Sequence, residues 1–158
     1  MKHDITSPLM PVRFGPPPER ALRYMDGLGA AMDVLRHTQW HAKYSVGMLV
    51  RVLMDAMQHG RMHLALTETD RPMGLAVWRT VGIDAHQAWL ASPPSLADIL
   101  LAPAMDDRPD AEGYLWLPLL LTPFGGPLHL IEHLRNRLPG ATHAWALAPE
   151  RAVARPVW

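Results

Sequence analysis

The spacing of apolar positions changes along the chain, and each change marks an element. From Glu19 to about Arg36, the residues Leu22, Met25, Leu28, Ala31, Met32 and Leu35 recur at three- and four-residue steps, the period of an amphipathic helix. Gly27 and Gly29 lower its intrinsic preference. A second helix is better marked: Ser45 is placed to cap it, Val46, Leu49, Val50, Leu53 and Met57 form one stripe, and Gly60 ends it. The period then falls to two. Met62, Leu64 and Leu66 share one face of Arg61–Glu68, and Met73–Val81 repeats the pattern after the turn Thr69-Asp70-Arg71, so the pair reads as a hairpin.

Beyond the hairpin the pattern is less regular. A short helix is expected over Asp84–Ala91, then a Ser-Pro-Pro break, a helical patch at Leu96–Leu101 and an acidic, proline-containing loop at Asp106–Glu112. Gly113–Thr122 is apolar on both faces, as an inner strand under helices would be, and Pro118 within it demands a bulge or a missing ladder bond. Pro123-Phe124-Gly125-Gly126-Pro127 turns the chain into a helix through about Leu138, and Ala141–Ala148 supplies a last strand. Two helices, a hairpin, a core strand, a helix and a strand make an α+β domain with a mixed sheet and no internal repeat. Residues 1–18 hold five prolines and read as an extended N-terminal arm. Residues 19–158 read as one domain, since domains usually run to roughly 100–150 residues.

Composition narrows the function classes. The 15 basic side chains balance 15 acidic ones, which removes any net-charge pull toward nucleic acid, so no nucleic-acid partner is expected. With no cysteine, disulfides, thiolate metal sites and a cysteine nucleophile are all excluded. The densest apolar run, Tyr114–Leu121, is far shorter than the ~20 residues of a membrane helix, so the chain is expected to be cytoplasmic and not transmembrane.

Several segments, in order, carry a resemblance. Leu28-Gly29 precedes Thr38-Gln39-Trp40-His41-Ala42-Lys43-Tyr44 and an apolar helix. Arg71-Pro72-Met73-Gly74-Leu75-Ala76-Val77-Trp78 follows, then Trp116, Thr122-Pro123-Phe124-Gly125 and Arg135-Asn136-Arg137-Leu138-Pro139. Over about residues 28–148 this series resembles the RTX toxin-activating lysine acyltransferases. The resemblance implies a GNAT-like mixed sheet flanked by helices. It also implies transfer of a fatty acyl group from acyl carrier protein to a lysine-like amine of a protein or peptide, with no metal and no bound cofactor. The acyl donor would be the phosphopantetheine thioester of the carrier, and a homodimer is left open. His41 falls on the family's catalytic histidine. The family's second essential residue, an aspartate four positions before the proline of Pro-Phe-Gly, falls on Leu119, which has no carboxylate to offer.

The residues themselves suit this chemistry. A lysine amine with an ordinary pKa near 10.4 is almost wholly protonated at neutral pH, whereas a histidine near 6.5 is available there as a neutral base. The glycine turn permits positive φ and close packing, and its amides are candidates to receive the phosphopantetheine arm or the thioester oxygen, with Thr38 and Phe124 as further candidates for binding the acyl donor. Arg135 and Arg137, and less directly Arg61 and Arg79, are candidates to meet an acidic carrier; a solvated helix face explains them equally. His63 or Thr38 is the nearest replacement for the missing aspartate by sequence placement. His129-Leu130-Ile131-Glu132-His133 matches a zinc-protease pattern, but a third ligand is not in sight. The ten methionines suit core packing and equally an acyl groove. The competing function is a catalytically silent module that keeps the acyl or carrier pocket without the chemistry.

Overall fold

A computed structural model describes residues 12–14, 20–22, 24–39, 43–101, 113–148 and 153–158. In chain order the elements are β1 (Val12–Phe14), β2 (Arg20–Leu22), α1 (Tyr24–Arg36), α2 (Val46–Gln58), β3 (Met62–Leu66), β4 (Pro72–Val81), α3 (Ile83–Ala91), α4 (Leu96–Leu101), β5 (Tyr114–Leu121), α5 (Pro127–Arg137), β6 (Ala144–Ala148) and β7 (Val153–Pro156). This is an α+β fold around a five-stranded mixed sheet in the order β3-β4-β5-β6-β7. Only the β5–β6 pair is parallel, and α5 makes the crossover that a parallel pair requires.

Most elements follow the periodicity. Ser45 caps α2 by accepting from the Met48 amide at 3.2 Å, and Gly60 ends the segment at φ 66°. Two differences have clear causes. The expected first helix begins at Tyr24 rather than Glu19, because Arg20–Leu22 pairs antiparallel with Val12–Phe14, a strand inside the proline-rich arm. The arm's residues 1–11 and 15–18, and the loop Asp106–Glu112, lie outside the described residues. The second difference is β7, which pairs with β6 and has too little alternation to be recognised alone.

The sheet separates two cores. On one face α1 and α2 lay Ala31, Val34, Leu35, Leu49, Val52 and Leu53 over Leu64, Leu75, Val77, Leu119 and Leu121. On the other, α5 packs Leu130 and Leu134 over Ala76, Trp78, Leu115 and Leu117. Leu115 and Leu117 therefore face α5 while Leu119 and Leu121 face the opposite way, a change of parity that regular alternation forbids. The register explains it: Val77 opposes Leu119 and Arg79 opposes Trp116, so two steps on β4 meet three on β5. Pro118 sits in this bulge, where its missing amide costs no ladder bond.

Leu119 is fully buried. An aspartate there would be an unpaired carboxylate in an apolar core, and Leu119→Asp should lower unfolding free energy by roughly 3–5 kcal/mol. Urea unfolding at neutral pH measures this. A midpoint equal to that of the parent chain would show that position 119 tolerates a carboxylate.

Candidate functional site

The C-terminal end of β5 leads into a tight turn. The Gly125 amide donates to the Thr122 carbonyl at 3.0 Å, and Gly125 and Gly126 hold φ of 94° and 78°, values that side chains with a Cβ rarely adopt. Gly126 is then the N-cap of α5, and Pro127 opens the helix, where its fixed φ fits and its missing amide costs nothing. The first intrahelical bond runs from the Leu130 amide to the Gly126 carbonyl. Gly126 has no side chain to cap the first amides of the helix that follow it, so the turn presents a helix start with donors and the positive end of the helix dipole. Phe124 projects beside it, half exposed, and Leu128 is 77% exposed.

Phe124 meets the end of α1. Its ring and that of His37 pack edge-to-face with centroids 4.8 Å apart. Thr38, the next residue, donates its hydroxyl to the Leu35 carbonyl at 2.7 Å and so satisfies the helix end. The structure thus joins the neighbourhood of Thr38 to that of Phe124, Gly125 and Gly126. His41 lies outside the described residues, as do Trp40 and Ala42.

The arginines divide. Arg135 and Arg137 occupy the last turn of α5, favoured there by the helix dipole, and nine residues of helix separate Arg135 from Gly126, about 13 Å along the axis. They belong to a different end of the helix from the glycine turn. Arg61 and Arg79 do not present a surface to any carrier, because both are buried. Arg61 donates to the Asp55 carboxylate at 2.9 Å, and Arg79 donates to the Ile99 carbonyl, near the C-terminal end of α4. Sequence alone treated them as surface cations; Arg79 follows the parity of the core residues Leu75 and Val77 on β4, whereas Arg61 precedes β3 and is held by Asp55.

His63 also lies elsewhere than expected. Its neighbours Met62 and Leu64 belong to the α1/α2 core, so His63 points to the other face, where its ring stacks on that of His133 at 4.4 Å. It therefore lies on the α5 face of the sheet, opposite the α1/α2 core. Burial, reinforced by His133 and Arg137 nearby, pushes its pKa down to about 3. The two histidines border a cleft of about 390 Å³ between the hairpin and α5. The hairpin contributes His63, Ala65, Leu66, Met73 and Gly74, and the far wall is Thr122, the glycine turn and one side of α5. Gly74 has a structural reason: a Cβ there would stand 3.1 Å from the Leu121 carbonyl and 3.3 Å from Leu130 Cδ2. Among the described residues no group of three or more His, Asp or Glu side chains is arranged to hold a metal ion, the His129/His133 pair included.

A second cluster gathers around α3. His86 is buried, stacks on Tyr114 at 3.8 Å and accepts from Trp116 Nε1 at 3.2 Å, with Trp145 at 4.4 Å. Burial holds its pKa below the ordinary value. It acts as a neutral acceptor for an otherwise unpaired indole N–H.

A mixed sheet whose core strand ends in a glycine turn at a helix start, beside a histidine-bearing helix end, has the parts of a group-transfer site for an acyl donor. The comparisons agree in class: the model of the RTX toxin acyltransferase family matches residues 21–153, and the chain belongs to that family. The family is one of acyltransferases that act on protein toxins, so the acceptor is a protein. A search of the curated proteins finds no match to the chain. No described helix is long and apolar enough to cross a membrane.

The buried histidines set an acid limit on stability. An unfolded imidazole takes its proton near 6.5, whereas folded His63 takes one only near 3. Between those values the unfolded chain binds more protons, so stability is full above pH 6.5 and falls as pH drops, by at most about 1.4 kcal/mol per unit from this group. His86 acts in the same direction. Unfolding measured from pH 7 to pH 4 should therefore show a steeper loss in the parent chain than in His63→Phe, and equal slopes would contradict the assignment.

Proposed function

We propose that the chain is an N-acyltransferase that moves a fatty acyl group from acyl carrier protein to a lysine-like amine of a protein or peptide, with His41 as general base, on a GNAT-like sheet. The observation that carries the reading is the His37–Phe124 contact. It ties the end of α1, from which the chain runs to His41, to the turn whose amides suit a thioester oxygen.

The reaction needs few parts. The acceptor ammonium must lose a proton before its nitrogen attacks the thioester carbonyl, and His41 takes it. The carbonyl oxygen becomes an oxyanion, stabilised by amides at the start of α5 and by the helix dipole. Collapse breaks the carbon–sulfur bond, the proton held by His41 leaves with the phosphopantetheine thiolate as the free thiol, and the second proton of the attacking nitrogen passes to water, leaving the neutral amide. No metal enters these steps. The exposed rings and side chains of Phe124 and Leu128 offer apolar surface to the acyl chain or its carrier. Arg135 and Arg137, at the far end of α5, would contact the body of the carrier rather than the thioester.

Leu119 favours a second reading. A histidine base normally has a partner that fixes its tautomer, and Leu119 supplies neither charge nor hydrogen bond. A silent module that binds acyl carrier protein and leaves the thioester intact is consistent with that. Intact-mass analysis after incubation with acyl carrier protein charged with a fatty acyl chain, and with lysine-containing protein acceptors, decides between them. We expect an acyl adduct on the acceptor, reduced about 10²–10⁴-fold by His41→Ala. Carrier binding without transfer selects the silent module, and an unchanged rate in His41→Ala removes the base.

A further inference from the structure

The cleft between the hairpin and α5 shares the glycine turn with the acyl-transfer reading, but its histidines and its apolar wall have no part in that reading. Its chemistry is one-sided. Ala65, Leu66, Met73 and Leu130 make it mainly apolar, yet among the described residues every titratable side chain on its wall is an imidazole, from His63, His129 and His133. It borders the uncapped start of α5, where the helix dipole favours an anion, and Arg137 adds positive potential felt at His63. His63 is 2% exposed and its Nδ1 has no hydrogen-bond partner. Nine in ten or more buried polar groups have one, so this nitrogen is an acceptor or donor awaiting a match. In the tautomer protonated at Nδ1 it is a donor, and a carboxylate oxygen is a fitting acceptor.

We propose that this cleft binds a medium-chain alkyl carboxylate, with its tail along Ala65, Leu66 and Met73 and its head among the imidazoles beside the start of α5. The volume of about 390 Å³ lies within the roughly 300–1,000 Å³ of small-molecule sites. The imidazole ring of His63 is uncharged in the empty cleft because solvent is excluded, so the site offers directed hydrogen bonds within a positive field rather than a fixed buried cation. A free fatty acid meets both demands. An acyl thioester shares the tail but has no carboxylate, and the head group distinguishes the two sources. The proposal does not rest on the acyl-transfer reading: it is argued from the cleft's own lining, and the two have in common only the turn from Thr122 to Gly126.

Calorimetric titration of the full chain with decanoate, decanol and decyltrimethylammonium, each below its aggregation limit, tests this. Decanoate should bind at one site, with decanol weaker by about tenfold or more and the cation weaker still. His63→Phe removes the nitrogen, and Ala65→Phe fills the cleft from a half-buried position; each should weaken decanoate by about tenfold or more. His41→Ala should leave decanoate binding unchanged. No binding of decanoate to the parent chain overturns the proposal, as does equal binding of all three head groups. Retained affinity in Ala65→Phe overturns the location, and loss of binding in His41→Ala moves the ligand to the transfer site. If His63→Phe does not fold, the head-group series and Ala65→Phe still decide.

Discussion

One extra residue in β5 sets the geometry on which the rest depends. Without the bulge at Pro118, Leu119 would share a face with Leu115 and Leu117 and would point at α5. The inserted residue turns Leu119 and Leu121 toward α1 and α2 instead, and directs the end of β5 toward the Thr122–Gly126 turn. Bulges bend and re-aim strands, and they are common beside active sites for that reason. Proline suits the position because an inner strand can lose an amide only where the ladder is already interrupted.

The two faces of the sheet then serve different ends. The α1/α2 face is a continuous apolar core from Ala31 and Leu35 to Leu64 and Leu121. The α5 face is narrower, because one helix covers a sheet that needs more, and the uncovered part beside β3 is the histidine-lined cleft. A single helix therefore has two tasks: its N-terminal end adjoins both the glycine turn and the cleft, while Leu130 and Leu134 hold it to the sheet.

Much of this was legible in the residues. Ser45, Gly60 and the stripe from Val46 to Met57 specify α2 almost completely, since cap, face and stop all agree. Pro118 announced an interruption inside an apolar strand, and the register shift supplies it. What periodicity could not reveal were elements defined by their partners. β1, β2 and β7 are three or four residues long, too short for alternation to show, and exist as strands because another backbone lies beside them. The site was half legible: Gly125 and Gly126 announce positive φ, whereas the cleft draws on β3, β4 and α5, which are distant in sequence. Its sequence signal was the histidine content of α5, which matched a metal pattern instead. Arg61 and Arg79 were misread because charge suggested exposure; Arg79 shares the parity of Leu75 and Val77, whereas Arg61 precedes β3 and no periodicity marks it as buried.

Position 119 shows how fold and chemistry compete for one residue. A carboxylate is useful beside an imidazole only if the charge is paired or wet; otherwise desolvation protonates it and removes its purpose. Here Leu119 lies in an apolar cluster, with Val77 directly opposite, Leu121 two positions on and the α1/α2 core beyond. Leucine at this place completes a sealed core, and the same sealing would deny an aspartate the water or partner it needs. Change at one residue is therefore not enough to interconvert the two states. An aspartate would require either a polar neighbour from α1 or α2, or an opening between those helices, and Ala31, Val34, Leu35 and Leu53 provide neither. The surroundings of Leu119 are thus matched to an apolar occupant, and any orienting group for a base at the end of α1 has to come from outside β5.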